Sequence, residues 1–189
     1  ALFTEMYPNF FENEYVRNIA EDEVVSEQIL RLAEFDPNCY EKYFPGNVTF
    51  GYYDGDIEEL RKAVATVVGH WPQFFNENSR IYCGFVDGKV ASFCLIEDFG
   101  ERVVNGMTWK IGGPGCVGTL MEYRNRGIGL SMIRNVTQIL REEFYDYSYI
   151  HYTYEPQWYG LLGYKTVLQW NGSGFIESDR IAERFRSYV

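Results

Sequence analysis

Residues 123–133 read Tyr-Arg-Asn-Arg-Gly-Ile-Gly-Leu-Ser-Met-Ile, an Arg-x-x-Gly-x-Gly turn set directly against a run with helical apolar spacing. A turn of this kind leaves backbone N–H groups unpaired at a helix N-terminus and puts positive side chains beside them. That combination is an anion site suited to a phosphate or pyrophosphate. The surrounding charge sharpens the point. The chain carries a net charge of −10, from 17 Lys+Arg against 27 Asp+Glu. Yet the stretch from Tyr123 to Arg141 holds Arg124, Arg126, Arg134 and Arg141 and no carboxylate. An acidic chain that keeps one segment free of acid is equipped to hold an anion there.

Two phosphate motifs fail on this turn. A P-loop needs Lys-Ser/Thr after its last glycine, but Gly129 is followed by Leu130-Ser131. A dinucleotide fingerprint needs a third glycine or alanine, and position 132 is Met. The acidity argues against nucleic acid or an anionic membrane surface as the main partner. It is compatible with a cationic substrate. With 189 residues the chain is long enough for one domain with its own core, and it is read as a single domain, 1–189. Cysteines 39, 83, 94 and 116 have no tight spacing and the two histidines are far apart. The expectation is therefore reduced thiols and no metal. No segment approaches the ~20 apolar residues of a membrane span, and no basic region followed by an apolar one opens the sequence. A cytoplasmic protein is expected.

Periodicity predicts a strand at Tyr15–Ile19 and a helix over Glu21–Ala33, the latter from Val24, Val25, Ile29, Leu30 and Ala33. Residues 36–55 read as irregular, with an extended piece at Val48–Tyr53. Asp56-x-x-Glu59 resembles a capping box before a helix from Ile57 to His70, stopped by Pro72. Strands follow at Arg80–Val86 and Lys89–Ile96 around Asp87-Gly88, and a second hairpin at Asn105-Gly106 leads into Met107–Thr119. Gly112-Gly113-Pro114-Gly115 marks a bulge in that strand, or a ligand approaching its backbone. After the anion turn come a helix to about Glu143, a strand at Tyr147–Tyr154, a short helix at Gln157–Leu162, a strand at Tyr164–Trp170 and a helix at Ser178–Tyr188. The order β-α-α-β-β-β-α-β-α-β is most simply buried as an α/β (α+β) mixed sheet with helices on both faces. The unit from 107 to 154 is expected to be a right-handed crossover.

Beyond the turn lies Trp158-Tyr159-Gly160-Leu161-Leu162-Gly163-Tyr164. The two segments, in this order and strand–helix setting, resemble the GNAT superfamily of acetyl-CoA-dependent N-acetyltransferases. Its first motif, Gln/Arg-x-x-Gly-x-Gly/Ala after a bulged strand, is matched by Arg124, Gly127 and Gly129, with Glu122-Tyr123 ahead of it. Its second, Tyr-x-x-Leu-Gly-Phe/Tyr, is matched by Tyr159, Leu162, Gly163 and Tyr164. The likeness is concentrated in residues 107–170.

The resemblance implies acetyl-CoA as co-substrate and an amine as acceptor. Backbone N–H groups of Asn125, Arg126, Gly127, Ile128, Gly129 and Leu130 would hold the CoA pyrophosphate, with Arg124 and Arg126 supplying charge. Val117, Gly118 and Thr119 would pair with the pantetheine arm as an added strand. Tyr159 would protonate the departing thiolate. The family's strand glutamate, its general base, falls on Gly113 here, and the family asparagine falls at Tyr152 or Thr153. An alkylamine with a lysine-like pKa of about 10.4 needs a base, since only about one part in 10³ is neutral at pH 7. Glu97, with Asp98 and Glu155, and His151 are the candidates. The expected activity is acetyl transfer to a primary amine, with a small cationic metabolite favoured, by direct attack in a ternary complex. A non-catalytic acyl-CoA-binding or sensing module and a protein or peptide N-acetyltransferase stay open as alternatives, as does a homodimer. The family's seventh strand, after Trp170, is expected to be brief here or to come from a partner chain.

Overall fold

The computed structural model describes residues 2–104 and 106–177. Its elements in chain order are α1 (Leu2–Met6), α2 (Glu14–Arg17), β1 (Val25–Arg31), β2 (Val48–Tyr52), α3 (Ile57–Ala65), β3 (Ile81–Val86), β4 (Lys89–Val104), β5 (Met107–Thr119), α4 (Ile128–Glu142), β6 (Tyr147–Thr153), α5 (Pro156–Gly160), β7 (Lys165–Asn171) and β8 (Gly174–Phe175). The strands form one mixed sheet in the order β2-β3-β4-β5-β6-β1-β7-β8. Every neighbouring pair is antiparallel except β5 and β6.

Alternation along β3 and β4 shows how the layers divide. Tyr82, Cys94 and Ile96 face Leu130, Met132, Ile133, Val136 and Leu140 of α4, together with Tyr159 of α5. The residues between them, Ile81, Cys83, Phe93 and Leu95, face Leu60 and Val64 of α3. Phe3, Phe10 and Val16 of the N-terminal segment cover Val25 and Trp170. Tyr7 and Met6 cover Tyr147 and Tyr149. Helices therefore lie on both faces, as expected for the mixed sheet. From Ile57 to Asn171 the observed element order is the expected one.

Ahead of Ile57 the order differs. Residues 15–19, expected as a strand, fall on the short helix α2 and its end. Val16 and Ile19, three apart, are its buried pair, while Tyr15 is exposed. Residues 21–33, expected as a helix, contain strand β1 instead. The helical apolar spacing misleads because the polar residues between the apolar ones are also buried: Ser26, Glu27 and Gln28 are each at most 1% exposed. The strand lies between β6 and β7 and is covered on both faces, which removes the polar–apolar alternation of a half-buried strand. Within this run Gln28 donates from Nε2 to the Pro156 carbonyl at 3.0 Å and to Thr166 Oγ1 at 3.3 Å.

Smaller departures have local causes. The Asp56 carboxylate accepts from the Glu58 N–H at 2.8 Å and starts α3. The helix stops at Ala65 rather than His70, where Thr66-Val67-Val68-Gly69 brings β-branched side chains and a glycine. Asp87 (φ 51) and Gly88 (φ 74) form the tight hairpin turn with two positive φ angles. β4 runs past Ile96 to Val104 and pairs back onto β5 as far as Val104/Met107. Gly106 sits at φ 77 in that second turn, and Asn105 lies outside the described residues, as does the helix expected at Ser178–Tyr188. β7 is flanked by the two-residue β8 and by β1, both from this chain.

Candidate active site

The sheet opens at one place. The parallel ladder between β5 and β6 contains two pairs, Ile111/Tyr147 and Gly112/Ser148, and ends there. Beyond it β5 continues on β4, and β6 continues on β1. Gly113 is the hinge of this opening. A Cβ built on it would stand 1.9 Å from the Tyr149 carbonyl oxygen, so only glycine lets the two strands approach this closely before they part. The bulge expected at Gly112–Gly115 lies slightly further on. Those four residues pair regularly with Leu95–Asp98, and the register breaks between Gly115 and Gly118, where Cys116 takes φ 46. Proline at 114 is tolerated without a local bulge.

On the α4 face, the end of β5 leads into the Arg124–Gly129 turn. Asn125 (φ 59) and Gly127 (φ 80) are both left-handed, and Gly127 caps α4 without any side-chain capping bond. No acidic residue occupies the helix's first turn. The initial N–H groups, including those of Ile128, Gly129 and Leu130, have no intrahelical acceptor by the geometry of any α-helix. The side chains of Ile128 and Leu130 are buried in the core, which fixes this backbone against the sheet. A Cβ on Gly129 would lie 2.5 Å from Thr119 Oγ1, and one on Gly127 would lie 2.7 Å from Lys42 Nζ and 3.0 Å from the Tyr40 hydroxyl. The glycines thus make room for close neighbours. Arg124 is exposed and its Nε donates to the Thr119 carbonyl at 3.1 Å, so it ties the turn to the strand end; the Arg126 guanidinium lies 5.6 Å from the Tyr123 ring centre. Val117 and Thr119 are half-buried and Gly118 is buried. Lys42 and Tyr40 are additions that sequence reasoning missed, because they come from an irregular segment with no motif.

Tyr159 is on the same face, 7% exposed, with its ring edge-on to Trp158 and near Tyr164. Burial, reinforced by Tyr164 and Cys94, pushes its hydroxyl well above the ordinary tyrosine range. Tyr164 sits deeper, bonded to Ser148 Oγ at 2.7 Å and Thr137 Oγ1 at 2.9 Å, so it is a packing and hydrogen-bonding residue.

The opposite face of the opening carries the other candidates. Glu97 projects from β4 over Gly115, where an added Cβ would be 2.0 Å from Glu97 Oε2. Desolvation raises its carboxyl above the usual 4.5, and His151 pulls it back down. His151, on β6, stacks on Tyr7 with ring centres 4.0 Å apart and planes 15° from parallel. Its Nδ1 lies 3.0 Å from Glu27 Oε2. Burial and the charges of Glu27 and Glu97 push the Tyr7 hydroxyl up as well. Glu97 and His151 therefore lie within electrostatic reach of each other on this face, while Tyr159 is packed in the core on the other face of the sheet. Asp98 and Glu155 are exposed, and Asp98 accepts from the Gly100 N–H. Glu27 and Tyr7 were not legible as site residues. Glu27 follows an acidic run, Glu21-Asp22-Glu23, and the one hint was its position inside a segment bounded by Val25 and Ile29-Leu30. The four cysteines are free; Cys83 and Cys94 are buried, Cys39 and Cys116 half-buried. Among the described residues no cluster of three or more His, Cys, Asp or Glu is arranged to hold a metal, and no helix is long and apolar enough to cross a membrane.

A family model described as an acetyltransferase (GNAT) domain matches residues 53–167. No curated protein matches the sequence. Among solved structures, the chain is similar to the GCN5-related glucosamine N-acetyltransferase region of a fungal multi-domain GH3 β-N-acetylglucosaminidase, at 18% identity and TM-score 0.62, over 79% of this chain and 20% of that one. It is also similar to a GCN5-related N-acetyltransferase from Kribbella flavida, at 17% identity and TM-score 0.52, over 84% of this chain and 60% of that one. A third, from Sphaerobacter thermophilus, gives 16% identity and TM-score 0.58, over 77% and 49%. At these identities the likeness establishes the fold. The chain spans less than two thirds of the length of each of these three structures.

Proposed function

Because this chain belongs to the GNAT acetyltransferase family, we propose that it transfers an acetyl group from acetyl-CoA to a primary amine, a small cationic one, by direct attack in a ternary complex. The observation that carries the reading is the division of the opening between β5 and β6. One face holds a helix start free of carboxylates with Arg124, Arg126 and Lys42 around it; the other holds Glu97 and His151. A pyrophosphate and a cationic amine suit these two faces respectively.

The residues present fit CoA. The glycines at 127 and 129 let Lys42 Nζ and Thr119 Oγ1 close in on the turn, and the first N–H groups of α4 have no intrahelical acceptor. Bound there, acetyl-CoA supplies an activated thioester, whose C–S bond breaks as the amine nitrogen forms the new C–N bond. Everything else falls to the protein. A base on the acceptor face, His151 or Glu97, takes one proton from the ammonium to free its lone pair. Tyr159 gives its proton to the departing sulfur and regains one from the nitrogen that has become an amide, so one proton is released overall. Its raised hydroxyl keeps it protonated, as a proton donor must be. Val117–Thr119 offers strand-edge backbone to the pantetheine arm. Direct attack is favoured over an acetyl-cysteine route. Cys116, on the bulge, has its thiol pushed up to about 12 by burial and by Glu97, which leaves almost no thiolate at neutral pH.

The test is thiol release from acetyl-CoA across a panel of polyamines, amino sugars, amino acids and peptide N-termini. Turnover with a small cationic amine, abolished in Tyr159→Phe while acetyl-CoA still raises the melting temperature, is the expected result. No thermal shift with acetyl-CoA sinks the reading altogether. The second reading, a non-catalytic acyl-CoA sensor, rests on Gly113 standing where relatives carry their base. Binding of acetyl-CoA with no turnover of any amine would favour it.

A further inference from the structure

Glu27 is completely buried, on the strand between β6 and β7. Its carboxylate accepts from Trp170 Nε1 at 2.8 Å, from the Tyr152 N–H at 3.3 Å and from the Tyr149 hydroxyl. Three donors from β6 and β7 already satisfy it. The fourth neighbour is His151, with Nδ1 at 3.1 Å from Oε1 and 3.0 Å from Oε2. The backbone is shaped around this contact. Ser26 pairs with Thr153 and Gln28 with Ile150, so β6 spends two residues, His151 and Tyr152, opposite Glu27 alone. Tyr152 takes φ 58, uncommon for a non-glycine residue, and this turns its N–H toward the carboxylate.

We propose that Glu27 is a positioning residue that holds His151 with its hydrogen on Nδ1, leaving Nε2 as the lone-pair nitrogen that takes the acceptor amine's proton; the inference rests on the acetyl-transfer reading above. A ring nitrogen facing a carboxylate carries the hydrogen, and the other nitrogen is then the basic one. Nε2 lies on the far side of the ring from Glu27. The side chain is 24% exposed, so the ring is open to the acceptor face, where Glu97 lies within electrostatic reach. Stacking on Tyr7 and edge contact with Phe10 fix the plane of the ring. When Nε2 takes the proton, the Nδ1–H bond to Glu27 becomes charge-assisted, which stabilises the imidazolium as it forms. The titratable groups facing the ring are Tyr7 from the segment after α1, Glu27 from β1, Glu97 from β4, and Tyr149 and Tyr152 from β6. Arg102, whose charge reaches Tyr7, is paired with Glu5 at 3.6 Å. The sequence position of the family glutamate is closed to any side chain, and this pair supplies a base from the other arm of the opening.

Two measurements test it. Long-range ¹H–¹⁵N spectra of histidine-labelled protein contain two rings, and His70→Gln assigns them. The expected result is that the neutral His151 ring carries its hydrogen on Nδ1 and leaves Nε2 bare, an arrangement lost in Glu27→Gln. A parent spectrum with the hydrogen on Nε2 overturns the proposal, and it needs no variant to fold. The second measurement is the pH profile of kcat/KM with the best amine. His151→Gln is expected to lower kcat by about 10²–10⁴-fold, the range of a general base, and to remove the acid limb. Folded Glu27→Gln shifts that limb to lower pH, because the imidazolium loses its neighbouring negative charge, and leaves acetyl-CoA affinity unchanged. Glu27→Asp, which keeps the charge, holds the limb near its parent position. An unmoved limb in Glu27→Gln, or full kcat in His151→Gln, overturns the inference with the transfer reading intact. An unmodified protein that turns over no amine overturns both, and the parent rate tells the two failures apart.

Discussion

Gly113→Ala isolates the close approach that shapes the site. Gly113 does not have a positive φ, so by backbone preference alone alanine belongs there and would stabilise by about 0.4–1 kcal/mol through the unfolded chain. The structure demands the opposite sign. The added Cβ meets the Tyr149 carbonyl oxygen at 1.9 Å, against the 3.4 Å at which ordinary contact begins, a deficit of 1.5 Å (3.4 − 1.9). The obstacle is backbone of β6, so no rotamer relieves it. β6 must move from β5, and the two ladder pairs Ile111/Tyr147 and Gly112/Ser148 go with it. That places the cost at the upper end of the overpacking range, about 3 kcal/mol. For a chain of this length this lowers the melting temperature by about 6–12 °C. Gly115→Ala is the matched control. Its Cβ meets the Glu97 carboxylate tip at 2.0 Å, which can swing aside. Thermal and urea denaturation of the two variants decide the matter. A Gly113→Ala protein at least as stable as its parent, or no worse than Gly115→Ala, refutes the account of the opening.

Three further outcomes follow from the same geometry. Glu97→Gln gains stability relative to the parent as pH rises: burial raises the Glu97 carboxyl, so the parent loses stability as pH climbs from the ordinary 4.5 through the raised value, and the amide does not. A melting-temperature difference that stays flat from acid to neutral pH contradicts this. Gly129→Ala pushes on Thr119 Oγ1 at 2.5 Å in the α4 turn, and calorimetry is expected to show acetyl-CoA affinity falling about tenfold, the equivalent of about 1.4 kcal/mol; unchanged affinity removes this turn from the CoA site. Asp56→Ala removes the side chain that caps α3 and costs about 1 kcal/mol, read as a drop in urea midpoint with unchanged slope.

The segments proposed to hold the donor stood out in the sequence because their signals are local. Arg124, Gly127 and Gly129 sit in one turn, Tyr159 to Tyr164 in another, and a glycine's role can be read from its neighbours in sequence. The proposed acceptor half did not, because its parts meet across the fold. Glu27 and Tyr149 are 122 positions apart, and Glu27 and Trp170 are 143 apart. Beyond its place between Val25 and Ile29-Leu30, nothing near Glu27 marks it as buried, since the side chains that satisfy it are supplied by β6 and β7. The same blindness turned β1 into an expected helix. His151 was visible as a lone strand histidine, but the carboxylate beside its Nδ1 was not. Gly113 was recognised as a departure from the family pattern, and only the Tyr149 carbonyl explains why a side chain cannot return there.

The place of β1 in the sheet also sets an order of assembly. Ser26 pairs with Thr153 and Gln169, so this strand, made before both of its neighbours, has no edge to join until β6 and β7 exist. At about 5–20 residues per second the gap of 127 positions between Ser26 and Thr153 amounts to roughly 6–25 s on the ribosome. Through that interval a nascent chain can already form the β3–β4 hairpin and then, as synthesis proceeds, the α4 turn, while Val25–Arg31 waits unpaired. Pairings this distant in sequence are slow to close and leave a strand open to wrong partners meanwhile. Nascent or interrupted chains that end before β6 would therefore carry the Arg124–Gly129 turn without the Glu27–His151 contact, and the two halves of the proposed site would mature on separate clocks.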